Sequence, residues 1–514
     1  FNMNVFKYLR YNAYCEMRKT KGQVYIRRIK EGLGDVEFLG IKSDDNYNRA
    51  LSVKQYILNF VGGKKLIDAI LLSYSLGTKI CFLPLPSVYQ EYLLKNDIKV
   101  SKFFCSLTFV LYLWVFWCYG VLYFFKSILT AIFFAQQKNE KEYVYFDRIK
   151  KDNLPVTSSS VTSYDIITWV INHFGMSGKF LCHPVKKSEE TRYKMNVVKF
   201  QKKPFTIDVF SKNYLKMFIK AIKKILSALI SFEWDKYLLL KEDLDSIFYN
   251  YGSKNNINLK KYFVPNHITI YRPIWTYAAE KNGVDIITYF YSISTEPLSA
   301  DKKQYDYLNI SLMNWPKNLV FDPMQKEELD KLMSKHVVNK LVPPIYFNTS
   351  SKRINKNFKN IIAIFDVDPQ RRSNNFGISS YNDYDFDLFK AHKNFLLDII
   401  NTDINKECTF MIKPKRKLSK KRELTKYRDL LHKLNKLKNV IVLPPEIPTF
   451  HLIEKAKLII SFPFTSTAVI AKLMSKKSIF YDSTNQLNQN DPGAHGIEII
   501  SKRKIRKWME SCLN

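Results

Sequence analysis

The residues best placed to do chemistry lie between 461 and 482, Ser-Phe-Pro-Phe-Thr-Ser-Thr-Ala-Val-Ile-Ala-Lys-Leu-Met-Ser-Lys-Lys-Ser-Ile-Phe-Tyr-Asp. An apolar strand (457–461) runs through a Pro463-bent turn into a helix, and a second strand follows (478–481). Thr465, Ser466 and Thr467 fall at the helix start, where free backbone N–H groups and the positive end of the helix dipole suit an anion such as phosphate. Their hydroxyls add donors. An ordinary capped helix uses the same residue types, so the two readings stand side by side at this point. A second set of cations, Lys413, Lys415 and Arg416, follows the apolar run Phe410-Met-Ile412 at what reads as a strand end. Arg grips two phosphate oxygens at once and Lys acts as a point charge. Cations aimed at a leaving phosphate lower the barrier to its departure. The plain alternative is that they open the solvated face of the next helix, as Lys417, Lys420, Lys421 and Arg422 do. Asp366-Val367-Asp368 has the spacing of a carboxylate pair that holds a divalent cation, but a single such pair at a strand end reads better as a loop-shaping or ligand-binding element, and no metal and no cofactor are expected.

Ser461-Phe462-Pro463-Phe464-Thr465-Ser466 resembles the signature of the bacterial polysaccharide-biosynthesis PFTS-motif proteins. These are similar to GT-B-type glycosyltransferases of surface-polysaccharide synthesis, including Kdo and sialic-acid transferases. Three further pieces agree in order: Ile361 to Pro369 resembles the first strand and loop of a second Rossmann-like domain, Phe410 to Arg416 the next strand end, and Glu446-Ile447-Pro448 the approach to the signature helix. The resemblance covers roughly residues 260 to 500. Lys415-Arg416 stand where sialyltransferase-like enzymes carry His-Pro. The resemblance implies a two-domain GT-B-like α/β fold, metal-independent transfer, and a nucleotide-sugar donor, with CMP-activated acidic sugars favoured. The acceptor would be lipid-linked or a growing polysaccharide. It assigns Asp366, Lys413, Lys415, Arg416, Glu446 and Pro463 to Thr467 to the donor side. The base that takes the acceptor proton, a carboxylate or His by default, would come from the first domain: Glu296 first, Asp147 second. Two other readings stay open: a non-catalytic assembly or binding protein on the same fold, and a polyol-phosphate transferase of the same pathway.

Composition bounds the rest. A chain of 514 residues with 46% hydrophobic residues is long enough for two or three domains. The net charge of +34 calls for an anionic partner. Basic residues are spread along the whole chain and no zinc-finger spacing, basic zipper or aromatic RNA-binding pattern is visible, so an anionic inner-leaflet membrane ranks first and nucleic acid is not expected. Seven scattered cysteines, without a Cys-x-x-Cys, suit a reducing compartment and neither a disulfide framework nor a zinc site. The first thirty residues lack the apolar core of a signal peptide.

Residues 103–125 carry no charge and are long enough to span a bilayer. Both flanks are basic, which disfavours exporting either; a re-entrant or interfacial helix keeps both in the cytoplasm, and a buried core helix is the alternative. From 211 to 232, Leu215, Phe218, Ile219, Ile222, Ile225, Leu226 and Leu229 recur at helical spacing, with Lys212, Lys216, Lys220, Lys223 and Lys224 on the other side. Such a helix suits either an anionic headgroup layer or solvent. From about 141, short apolar strands alternate with helices, which argues parallel sheets. The expected organisation is 1–140, an N-terminal region with the membrane-associating segment 103–125; 141–323, an acceptor-side α/β domain; 324–359, a linker; 360–500, a donor-binding α/β domain; and 501–514, a basic tail. The location this implies is the cytoplasmic face of the inner membrane.

Overall fold

The computed structural model describes residues 9, 13, 23–36, 46–61, 64–133, 142–147, 169–170, 173, 180–183, 192–193, 196–200, 203–231, 233–252, 258–264, 270–293, 310–344, 354, 358–367, 369, 389–402, 408–415 and 425–513. Helices come first: α1 (Gln23–Asp35), α2 (Asn46–Tyr56), α3 (Lys64–Leu76), α4 (Ser87–Lys95) and the long α5 (Lys102–Phe133). Their apolar faces form one cluster around Val53, Ile70, Tyr89 and Phe109, which also takes in Tyr237 to Leu239 and Tyr271 of the next domain. Arg49 fastens the layer down, with Nε 2.6 Å from Asp235 and Nη1 2.9 Å from Asp243. The described part of 1–140 is thus packed onto the domain that follows it.

The first sheet is built from β1 (Tyr143–Phe146), β2 (Phe180–His183), β3 (Arg192–Tyr193), β4 (Asn196–Phe200), β5 (Leu259–Val264), β6 (Asp285–Tyr289), β7 (Lys317–Val320) and β8 (Val338–Leu341). Its order is β3-β4-β2-β1-β5-β6-β7-β8, parallel apart from the β3–β4 pair. Helices α6 (Tyr214–Ser231), α7 (Trp234–Leu238), α8 (Leu240–Tyr251), α9 (Trp275–Lys281) and α10 (Pro323–Leu332) belong to this part. The second domain holds β9 (Ile361–Asp366), α11 (Phe389–Ile400), β10 (Thr409–Pro414), α12 (Thr425–Leu434), β11 (Val440–Val442), α13 (Thr449–Lys455), β12 (Leu458–Ser461), α14 (Ser466–Leu473), β13 (Lys477–Asp482), β14 (Glu498–Ser501) and α15 (Lys502–Leu513). Its sheet runs β11-β10-β9-β12-β13-β14, all parallel. In chain order within the domain that is 3-2-1-4-5-6, the doubly wound Rossmann order. Strands such as Ile361 to Asp366 are buried at every position, as a sheet covered on both faces requires.

Two boundaries differ from the sequence reading. The stretch 324–359 does not begin as a linker: α10 and β8 lie in it, and β8 pairs with β7 as the edge of the first sheet. Its polar look has a physical source, since Val338, Lys340 and Leu341 of that edge strand are exposed and only Asn339 is buried. The described part of 501–514 is not a tail either. It forms α15, which buries Ile505 and Met509, one turn apart, against the second domain and presents its basic residues outward. The apolar run 205–210 forms bends and turns instead of a strand, although Phe205 and Ile207 are buried.

Candidate functional site

Parallel doubly wound sheets bind ligands at the carboxyl ends of their strands, where the strand order reverses. In the second domain that point lies between β9 and β12. Register puts Pro414 beside Asp366 and Ser461 beside Phe365. Asp366, the Lys413 strand end and the signature therefore meet at one edge. The signature itself is a turn with a defined internal structure. Phe462 N–H still donates to Phe365 O at 2.8 Å. Phe464 then takes a left-handed backbone (φ +59°), an uncommon conformation for a bulky residue, with its ring buried against Phe480. That reversal sets Thr465 in extended geometry at the N-cap of α14.

The three hydroxyls do different work. Thr465 Oγ1 does not cap the helix; it donates to Phe462 O at 2.8 Å and lies 3.0 Å from Thr467 Oγ1, which lies 2.9 Å from Ser461 Oγ. This ladder holds the turn while leaving the start of α14 without a side-chain cap from Thr465. Ser466 points to the other domain. Its Oγ accepts from Ile293 N–H at 3.2 Å and lies 3.3 Å from Ser292 Oγ. Gln325 donates to Ser292 O at 2.7 Å. Asp322 Oδ2 caps α10 by accepting from Gln325 N–H at 2.8 Å, and the same oxygen lies 2.6 Å from His495 Nδ1 of the second domain. The signature is thus part of a polar seam between the two domains, continuous with a shared apolar core that joins Val144, Ile287 and Leu319 to Ile364, Ile460 and Phe464.

Other residues expected on the donor side fall elsewhere. Asp366 is buried and turned inward. Its Oδ1 lies 2.9 Å from His392 Nδ1 and accepts from Val367 N–H at 2.7 Å, while Tyr427 donates to its Oδ2 at 2.7 Å. His392 is itself fully buried, stacked on Phe462 at 4.3 Å between ring centroids. Asp366 therefore braces the signature from beneath, with both carboxylate oxygens turned to these partners, the loop-shaping one of its two expected roles. Lys413 is also buried, with Nζ donating to Pro445 O at 3.2 Å, so it ties β10 to the loop before α13. Lys415 and Glu446 are exposed at the same edge. Arg416, Asp368 and Glu296 lie outside the described residues; the described loop carrying Ser292 and Ile293 leads toward Glu296. Asp147 ends β1 beside β5, at the switch point of the first sheet, and its Oδ2 accepts from Tyr262 OH at 2.7 Å. A cavity of about 320 Å³ opens further along the second sheet, lined by Asp482, Asn485, Gln489, Ser501 and Arg503 among others. Among the described residues no group of three His, Cys, Asp or Glu is placed to hold a metal ion.

Sequence reasoning did not find Ser292, Asp322, His392 or His495. Only His495 carried a local cue, the Asp491-Pro-Gly turn just before it; the others are recognisable only once the chain is folded.

Fold and site together define a two-domain α/β protein of GT-B-like architecture with its signature turn at the domain seam. The chain belongs to the family described as polysaccharide biosynthesis PFTS motif protein, whose model matches residues 217–509. No curated protein matches the sequence. Solved structures similar to the chain include an α,α-trehalose-phosphate synthase (UDP-forming) from Burkholderia vietnamiensis (8% identity, 73% of this chain and 89% of that one, TM-score 0.35). They also include the Anabaena protein HepE in complex with UDP and glucose (9% identity, 73% and 90%, TM-score 0.36). A third is a glycosyltransferase from Rickettsia africae (10% identity, 73% and 89%, TM-score 0.32). At these scores the likeness adds nothing to the fold read from the strand order.

Proposed function

We propose that the protein is a glycosyltransferase of bacterial surface-polysaccharide synthesis, taking its sugar from a nucleotide donor held at the switch point of the second domain. The acceptor is lipid-linked or a growing polysaccharide, presented from the first domain at the cytoplasmic face of the inner membrane. In the reaction an acceptor hydroxyl attacks the anomeric carbon, the bond from that carbon to the donor phosphate breaks, and a first-domain carboxylate takes the hydroxyl proton. Asp147 and Glu296 are the candidates for that carboxylate. The negative charge that grows on the leaving phosphate is met by the start of α14 and the exposed Lys415. CMP-activated acidic sugars are the preferred donors, on family resemblance.

The observation that carries this reading is the start of α14. It sits at the reversal of a 3-2-1-4-5-6 parallel sheet, and Thr465, its N-cap residue, turns its hydroxyl away from the helix. The test is calorimetric binding of CMP, UDP, GDP and dTDP, each with and without Mg²⁺, to the purified protein and to Thr467→Val and Arg416→Ala variants. Selective binding of one nucleotide, indifferent to metal and weakened in both variants, is the expected result. A folded protein that binds none of them overturns the transferase reading in favour of a non-catalytic assembly subunit. Transfer of phosphate together with a polyol, visible in the product mass, would instead make it a polyol-phosphate transferase.

A further inference from the structure

Helix α5 has an unusual division of labour between its faces. One stripe is buried: Cys105, Phe109 and Leu113 against the N-terminal helices, and Gly120, Phe124 and Ile128 against the first domain. It is held closely: a Cβ on Gly120 would stand 2.8 Å from Leu240 of α8, and Trp117 Nε1 reaches Ile225 O of α6 at 3.5 Å. The opposite arc is apolar and bare. Leu111, Val115, Leu122, Phe125, Leu129 and Phe133 are all more than half exposed. Only 22% of the most apolar window of α5 is buried, the reverse of a core helix. Beside it, α6 exposes Leu215, Ile219, Leu226 and Ile230 along one line, with Lys216, Lys220 and Lys223 exposed along its flank and Lys212 exposed in the turn just before it; two of these, Lys216 and Lys220, rest over the Tyr251 ring. Soluble surfaces rarely leave so large an apolar patch uncovered.

By length and composition α5 could cross a membrane, but its contacts forbid it. The buried stripe runs from Cys105 to Ala131, which is about 39 Å at about 1.5 Å per residue and exceeds the roughly 30 Å hydrocarbon layer. A crossing α5 would carry its partners into that layer. These include Asp245, which Tyr123 bonds and Lys241 pairs at 2.7 Å, and the Arg49–Asp235–Asp243 cluster just behind. Charged groups at that depth are strongly disfavoured. An in-plane helix has no such conflict, because its bare arc enters the acyl boundary while the other face stays on the protein.

We infer that α5 and α6 together form an in-plane docking surface for an anionic bilayer, with α5 lying along one leaflet and the α6 lysines at the headgroups. The occupant is a bilayer because the surface joins two features that an anionic leaflet complements together, a long apolar band for the acyl chains and, along its edge, cations for the headgroups, on a chain of net charge +34. The inference stands apart from the transferase reading, since vesicle binding needs no donor and nucleotide binding needs no lipid.

The test is flotation of the full chain with vesicles rich in phosphatidylglycerol and with vesicles of phosphatidylcholine alone. The protein is expected to float with the first and far less with the second. Replacing Lys212, Lys216, Lys220 and Lys223 by Gln is expected to lower the partition coefficient at least about tenfold. Leu122→Glu with Phe125→Glu is expected to abolish flotation while leaving circular dichroism and melting unchanged, as both side chains are exposed. Depth is read by attaching a quenchable dye in turn at Leu107→Cys, at Cys118 and at Leu129→Cys, the other accessible cysteines being replaced by Ser. An in-plane helix puts all three at one shallow depth. A deep Cys118 between two shallow neighbours would make α5 a span and overturn the inference. So would binding indifferent to lipid charge, or no flotation together with a concentration-dependent dimer that the Glu variants dissolve, which would make the surface a protein interface.

Discussion

Removing the Asp322 carboxylate (Asp322→Ala) should loosen the domain seam and leave each domain folded. One oxygen of Asp322 serves two partners, Gln325 N–H at 2.8 Å inside the first domain and His495 Nδ1 at 2.6 Å in the second. Both side chains are almost fully buried. Losing the cap costs α10 about 1 kcal/mol, but that loss does not depend on whether the domains touch. Leaving the His495 donor buried without an acceptor costs about 1–3 kcal/mol, and this part is relieved when the seam opens. Opening should therefore become roughly 5- to 150-fold more favourable, at about 1.4 kcal/mol per factor of ten. Ile293 N–H, which donates to Ser466 Oγ across the seam, is the reporter. Its hydrogen exchange should accelerate by that factor, while amides of β9 and β5 keep their protection. Asp322→Asn retains a good cap and an amide oxygen for His495, so it should shift exchange much less. A double-mutant cycle with His495→Ala should show coupling above about 0.5 kcal/mol, as expected for groups in contact. Unchanged Ile293 exchange in Asp322→Ala, with protection lost only within α10, would refute the seam as the element that holds the domains together.

Three other outcomes follow from the same geometry. Phe464 is held at φ +59° with a buried ring. Losing the ring should cost about 3–5 kcal/mol in either small variant, but Phe464→Gly should melt higher than Phe464→Ala because only glycine occupies that backbone region freely. Asp366→Ala leaves His392 Nδ1 and Tyr427 OH buried without their carboxylate, so denaturant titration should show a loss of about 3 kcal/mol or more; a stability change near zero would return Asp366 to the list of direct ligands. At Asp285 burial pushes the carboxyl up, but hydrogen bonds and charge from Lys317 and Lys261 outweigh it and hold the group below its ordinary value. A lowered folded-state value gives stability that is fully present above the unfolded value of about 3.9 and is lost as pH falls through the lower folded one. Asp285→Asn should therefore reduce stability at neutral pH and flatten the acid limb, measured as melting temperature between roughly pH 2 and 6.

Five of the six strands of the second sheet were legible because a sheet covered on both faces gives apolar runs between helices; the edge strand β14, with Glu498 exposed and Ser501 half-buried, was not. The strand expected at 457–461 is observed as Leu458 to Ser461, one residue shorter. The same rule hides β8, an edge strand whose only buried residue is Asn339. It also hides α15, whose two buried apolar residues stand one turn apart among lysines and arginines. Both were read as polar connecting chain because their composition reflects the solvent they face more than the sheet or core they serve.

The site failed in a more specific way. Residue type and strand-end position place Asp366, Lys413 and Ser466 near the switch point, where their backbones lie, but they do not tell which way each side chain turns. That depends on partners far along the chain: His392 and Tyr427 are 26 and 61 residues from Asp366, and Ser292 is 174 from Ser466. A buried carboxylate with three bonds and an exposed carboxylate awaiting a ligand have the same letter. The signature accordingly mixes purposes within three consecutive hydroxyls. Thr465 and Thr467 are committed to the turn, and Ser466 is committed to the opposite domain. What remains for an anion at this position is the backbone of the α14 start, and a backbone N–H leaves no mark on residue identity. The motif is therefore read best as the device that bends β12 into α14 and locks that bend to the first domain, so that an uncapped helix start faces the seam.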